Sequence, residues 1–353
     1  MPSAMTKRER LAAVIAGRPV DRLPVALWRH FWGEETSRAG LVEAMVRWQT
    51  TGDWDFLKIN PRASYHVEDW GNRYTRVASG QAAPVLVRAA VQTAEDFARL
   101  PRLDPMAHPG VNAGPGRRAA PVLGDHLGAV ADLRAELGPD VPMIMTVFTP
   151  LAIAEELAGG PQRLQAILRA SPDKVHAGLR TIAATFADFS ARAVAAGADG
   201  IYLATTHTAT RANFSVDEYA AFGRPYDLEV IAAVQGAPLN LLHVCQSQAM
   251  VRELADYPVS LINWDTADPT NPHLDEMVAA APGKGLVGGL DRRAFMARDA
   301  AARIRAQAAE ARRAMAGRPF VLASTCTIDP ASDAEAVRAA REAAEGSQES
   351  RHG

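Results

Sequence analysis

Cysteine is nearly absent, with two in 353 residues. That excludes a disulfide-stapled scaffold. Long apolar runs are missing too, and none approaches the roughly 18–20 residues a membrane span needs. The opening segment MPSAMTKRERLAAVIAGRPVDR is basic, but its apolar stretch is short for a signal peptide and charge follows at once. The expected location is therefore the cytoplasm. An excess of one charge is also lacking: 38 Lys and Arg against 40 Asp and Glu leave a net charge of -2. A nucleic-acid partner is not expected, since such domains usually carry a basic surplus. No internal repeat is evident, and no G-x-G-x-x-G follows the first strand, which argues against a dinucleotide-binding sheet.

What is present is globular: 48% hydrophobic and 22% charged residues. The length suits two ordinary domains or one large α/β barrel with insertions. Eight short apolar runs read as strands: 24–28, 55–60, 142–148, 200–205, 239–244, 260–265, 286–291 and 320–325. Most are apolar throughout, as in parallel strands buried on both faces. Helical patterns separate them, at 171–198, 215–236, 272–281, 298–317 and 331–345, and TKRERLAAVIAG precedes the first. The arginines of 298–317 mix with acidic residues and read as a solvated outer face. The alternation predicts a single (β/α)8 barrel over residues 1–345, with 346–353 a frayed tail. A doubly wound open sheet is the competing architecture. The 61–141 connection is too long for one loop and reads as an insertion over a barrel mouth, with a hairpin (YTRVAS, PVLVRAAV), a Pro/Gly loop and a helix near 124–137.

Chemistry in such barrels gathers at the C-terminal strand ends. His243 and Cys245 close the fifth strand, and period two puts both on one side. Cys326 follows the eighth strand. One His and two Cys form a zinc set that leaves a fourth position open, the arrangement of a catalytic site. A thiol entering there would lose its proton and become a nucleophile. The same three residues also fit a plainer account, two core thiols and a satisfied histidine, and the pattern leaves both readings open.

At this point the chain resembles the uroporphyrinogen decarboxylase superfamily. The similarity is carried by RLAAVIAGRPVDRLPVALW, AGADGIYLATTH, LNLLHVC, LINWD, VGGLD and FVLASTCTIDPASDAEAVRA, in that order. The resemblance implies a single (β/α)8 barrel. It also offers two chemistries. The decarboxylases use no metal, and bind substrate carboxylates with two arginines after the first strand. Here Arg29 stands at the first and Gly33 at the second, KINPR replaces the pyrrole-facing aspartate, Glu156 replaces a tyrosine, Thr206 a serine and Cys326 a histidine. The corrinoid-dependent methyltransferases, of the kind that methylate coenzyme M, are matched at His243, Cys245 and Cys326-Thr327-Ile328. That branch implies zinc as a cofactor and methylcobalamin, carried by a partner corrinoid protein, as methyl donor to a small thiol. Decarboxylation of a tetrapyrrole and non-catalytic corrinoid or tetrapyrrole binding are the alternatives.

Other residues are weighed by position. Asp265 and Asp291 end the sixth and seventh strands and suit a fourth ligand, a partner that orients His243, or a base. Loop carboxylates commonly just bond backbone amides. Glu155 and Glu156 follow the third strand; one suits metal or substrate, while the helix dipole alone also favours glutamate there. Trp28 and Arg29 open an aromatic, cationic run that suits an anionic substrate or a corrinoid edge. Asn60, with Lys58 and Arg62, suits an anionic group, though solvated loop charges are the simpler account of these residues. Thr206 and His207 line the mouth as candidate substrate contacts. A homodimer is plausible by base rate.

Overall fold

A computed structural model describes residues 4–75, 82–107 and 116–345. Eight parallel strands form one sheet in the order β1-β8-β7-β6-β5-β4-β3-β2. They are β1 (Val25–Ala26), β2 (Leu57–Ile59), β3 (Met143–Phe148), β4 (Ile201–Ala204), β5 (Leu241–Val244), β6 (Leu261–Trp264), β7 (Gly285–Leu290) and β8 (Val321–Ser324). All eight fall within the predicted runs or within one residue of them. The sheet curls into a nearly closed barrel with flanking helices. At the seam between β1 and β2 the Asp55 amide donates to the Val25 carbonyl at 2.9 Å, and the Val25 amide donates to the Asp55 carboxylate at 2.7 Å. Asp55 is wholly buried and also accepts from Arg10 and Arg22 at 2.6 and 2.7 Å. This ionic knot staples the first helix (Lys7–Ile15) to the seam.

Strand parity divides the core. Inward positions of successive strands (Ala26, Phe56, Ile144, Tyr202, Leu241, Leu261, Val287, Val321) pack together as the barrel interior. Their outward neighbours pack under the helices in a second, larger cluster. Each large apolar side chain so buried contributes about 1.5–3 kcal/mol.

The helices follow the predicted pattern with one break. The long helix runs Pro172–Ala195. The 215–236 stretch is two helices, Val216–Phe222 and Arg224–Ala232, because Pro225 has no N–H to continue the first. The 272–281 pattern yields only Met277–Ala280. Arg38–Gly52 and Pro161–Ala170 form further helices outside the predicted segments.

Between β2 and β3 lie an antiparallel pair, Arg73–Thr75 with Val85–Arg88, and a helix, Pro121–Leu137. The hairpin tip at 76–81, much of the Pro/Gly loop at 108–115 and the 346–353 tail lie outside the described residues. This connection is tied to the helix after β3 (Pro150–Ala158): the Val91 amide donates to the Leu157 carbonyl at 3.0 Å, and Asn72 donates to the Glu156 carbonyl at 2.9 Å. Among the described residues no helix is long and apolar enough to cross a membrane.

Candidate functional site

The inward parity of each strand continues past the apolar layer and delivers polar groups to the C-terminal mouth. From Leu241 it reaches His243 and then Cys245; from Leu261 it reaches Asn263; from Phe56 it reaches Lys58 and Asn60. The loop after β8 adds Cys326. His243 Nε2, Cys245 Sγ and Cys326 Sγ all lie within 4.8 Å of one another. The Cys245–Cys326 sulfur separation is 3.7 Å, and Cys326 Sγ is 3.5 Å from His243 Nε2.

These distances test whether a zinc ion fits. Sulfur ligands at about 2.3 Å and nitrogen at about 2.05 Å around a tetrahedral ion stand roughly 3.8 Å (S to S) and 3.6 Å (S to N) apart. Two of the three edges match, and the donor set of one imidazole and two thiols suits zinc. The imidazole is also presented correctly. Asn263 pairs in register with His243, and its Nδ2 donates to the carbonyls of Val287 and Ser324 at 2.9 and 3.3 Å. Its Oδ1 is thereby the acceptor, 2.6 Å from His243 Nδ1. The ring proton must sit on Nδ1, leaving the Nε2 lone pair aimed at the thiols.

The two thiols differ. The bond that Cys326 shares with Cys245 holds it well below the ordinary thiol range, against the effect of burial. Cys245 is pushed up, first by its bond to Cys326 and then by burial.

The cluster opens onto a cavity of about 200 Å³. Phe148, Tyr202 and Ala204 supply apolar wall; Lys58, Asn60, Thr206 and His207 supply polar wall. Tyr202 stacks on His243 at 5.2 Å. On its ring stands the Lys58 ammonium, 4.5 Å from the centroid, donating to Asn60 Oδ1 at 2.6 Å. Burial drags the Lys58 amine down to about 7. Lys58 is thus no solvated loop charge, contrary to the simpler sequence account. His207 is raised by its bond to Glu155, 3.3 Å away. Thr206 and Gln246, just past the ends of β4 and β5, hold φ of 47° and 76°. Such left-handed non-glycine residues gather at sites where the surrounding fold constrains them.

Five of the predicted residues stand elsewhere. Asp265 and Asp291 do not reach His243, because Asn263 already holds its Nδ1. Asp291 caps the short 3-10 helix Arg292–Met296 and pairs with Arg293 at 2.9 Å. Asp265 accepts from the Ala267 amide at 3.1 Å, and burial raises its carboxyl. Glu156 turns into the β2–β3 connection, where His66 and Tyr74 grip it at 2.6 and 2.5 Å. Burial works against its charge, yet these partners hold it below the ordinary carboxylate range. Trp28 lies deeper in the barrel, buried against Tyr202 and Phe56. Arg29, one parity step on, points outward over Phe31 and Trp48. Asn60, Thr206 and His207 do line the cavity, as do all three His/Cys residues.

Two contributors escaped the sequence reading, Asn263 and Tyr202. For Asn263 the signal is there: a polar residue at an inward position of an otherwise apolar strand.

The sequence matches the family described as uroporphyrinogen decarboxylase (URO-D) over residues 68–346. Comparison with curated proteins finds no match. Among solved structures, a methyltransferase from Methanosarcina mazei is similar with a TM-score of 0.76 at 19% identity, over 96% of this chain and 98% of that one. The putative vitamin-B12-independent methionine synthase from Listeria monocytogenes is similar with a TM-score of 0.50 at 13% identity, over 88% and 84%. At such identities these two likenesses speak for the fold alone. The family match spans most of the barrel and the segments bearing His243, Cys245 and Cys326, and the chain belongs to the uroporphyrinogen decarboxylase family.

Proposed function

We propose that this chain is a zinc-dependent methyltransferase, moving a methyl group between a corrinoid on a partner protein and a small thiol. The observation that carries the reading is the convergence of His243 Nε2, Cys245 Sγ and Cys326 Sγ at the wall of a small cavity. The fold it shares with a methyltransferase from Methanosarcina mazei shows that such a barrel can carry methyl transfer. Zinc, when held by these three residues, supplies a Lewis acid that keeps a fourth, incoming thiol ionised near neutral pH.

The chain's own residues account for the rest. Asn263 keeps the imidazole in the ligating tautomer. Phe148, Tyr202 and Ala204 exclude water from around the acceptor sulfur, where a less hydrated thiolate is a stronger nucleophile. The cavity, about 200 Å³, is smaller than the roughly 300–1,000 Å³ of pockets for drug-sized ligands. It suits a small thiol, with the macrocyclic donor presented at the mouth. The same size disfavours a tetrapyrrole substrate, and Arg29 is turned away from this cavity. A binding-only barrel would have no use for a tautomer-locked N/S₂ cluster.

Elemental mass spectrometry on the purified chain tests the proposal. About one zinc per chain is expected, lost in Cys245→Ser and in Cys326→Ser. Methylcobalamin with a panel of small thiols should then show demethylation of the corrinoid only in the zinc-loaded wild type. Metal-free protein from zinc-supplemented medium would overturn the reading.

A further inference from the structure

A second recess, of about 530 Å³, lies on the outer wall between the helix Arg38–Gly52 and the C-terminal helix Ala334–Ala343. Its size falls within the roughly 300–1,000 Å³ range of ligand pockets. Its floor is aromatic, built from Phe31, Trp48 and Trp54. Arg29 lies across that floor with its guanidinium carbon 4.9 Å from the Phe31 centroid and 5.0 Å from Trp48.

The charges are unbalanced. Arg29 donates to the Pro330 carbonyl at 2.9 Å, but among the described residues it has no carboxylate partner within ion-pair distance, and its Nε is buried without an acceptor. Around it stand Arg47, Arg338 and Arg341, and the lining holds one carboxylate, Glu342, already engaged by Arg305. Arg47 and Arg341 have acidic partners, whereas Arg338 has none among the described residues. Two further buried donors of the recess residues, Trp54 Nε1 and Ser332 Oγ, also have no partner among the described residues. Orphaned buried donors are rare and costly unless something accepts from them. An arginine set against aromatic rings without a carboxylate partner is suited to receive a planar anion.

We propose that this recess is a second binding site, for a small organic anion with a flat aromatic body, with Arg29 as counter-ion and the floor of Phe31, Trp48 and Trp54 as apolar wall. It is independent of the His243–Cys245–Cys326 cluster. It also backs onto the segment that bears Cys326, since Arg29 bridges Ile328 and bonds Pro330.

Isothermal titration calorimetry of the full chain tests this with 2-naphthoate, its neutral isostere 2-naphthamide, and sulfate. Saturable binding of 2-naphthoate is expected. The amide should bind about 10- to 100-fold more weakly, the worth of one charge-assisted hydrogen bond, and sulfate, lacking a ring, should bind more weakly too. Arg29→Gln should cause a similar loss. Ala334→Trp, at an exposed lining position that leaves Arg29 untouched, should block the recess, and it keeps the test decisive if Arg29→Gln does not fold. Equal binding of acid and amide, or 2-naphthoate binding undiminished in Ala334→Trp, would overturn the proposal.

Discussion

Asn263 shows how much a single side chain decides at this site. Its amide nitrogen is committed to two carbonyls, so its oxygen can only accept, and the His243 proton is fixed on Nδ1. Removing that acceptor in Asn263→Leu frees the ring to rotate and change tautomer. Zinc affinity, read by competition with a chromophoric chelator, should fall about 10- to 100-fold. Asp265→Asn and Asp291→Asn should leave it unchanged, because neither carboxylate bonds the ring. A loss in either aspartate variant matching that of Asn263→Leu would show the orienting role to be misplaced.

At the scale of elements, two buried carboxylates are held by different kinds of partner. Asp55 joins β1, β2 and the first helix through Arg10 and Arg22. Asp55→Ala leaves two arginines facing a vacated, buried position, and should cost about 3–5 kcal/mol in urea unfolding. Asp227, in the helix Arg224–Ala232, is wholly buried. It accepts from Tyr219 and Tyr257 at 2.7 and 2.8 Å, while its second oxygen has no partner. Burial pushes its carboxyl up to about 7. A raised carboxyl means the folded chain keeps a proton that the unfolded chain has released. The associated stability is complete below the ordinary carboxyl value near 4 and is lost as pH rises through about 7. Asp227→Asn cannot ionise, so its melting temperature relative to wild type should climb between pH 5 and pH 8. A constant offset across that range would contradict this assignment.

For the molecule as a whole, the barrel core and the zinc cluster are separate sources of stability. The interior layer and the helix-facing layer are complete without His243, Cys245 and Cys326. Chelation should therefore leave far-UV circular dichroism intact. It should still lower the melting temperature, since a ligand at 100 times its Kd adds about 2.7 kcal/mol, worth roughly 4 °C in a chain of this length at about 2.1 cal/mol/K of unfolding entropy per residue. Collapse of the dichroism on chelation would mean instead that the metal is needed for folding.

What the sequence by itself determined is whatever is local. Apolar runs marked all eight strands, and period-two parity set His243 and Cys245 on one face, because alternation is a property of each strand alone. The two cysteines could be placed at strand ends for the same reason. Parity also pointed Lys58 inward with Phe56, but a charge in a short apolar run reads equally as loop, and only the closed barrel removes it from water. Only the tertiary structure decided what meets across strands. Parallel register, not chain distance, sets Asn263 beside His243, and departure of the chain after β6 and β7 carries Asp265 and Asp291 away from it. The loop after β8 brings Cys326 to a histidine 83 positions earlier. The bridge between Arg29 and Ile328 extends the β1 parity three residues beyond the strand, so Trp28 turns in and Arg29 turns out. Contacts of this kind depend on barrel closure and strand stagger, which no segment of the chain encodes alone.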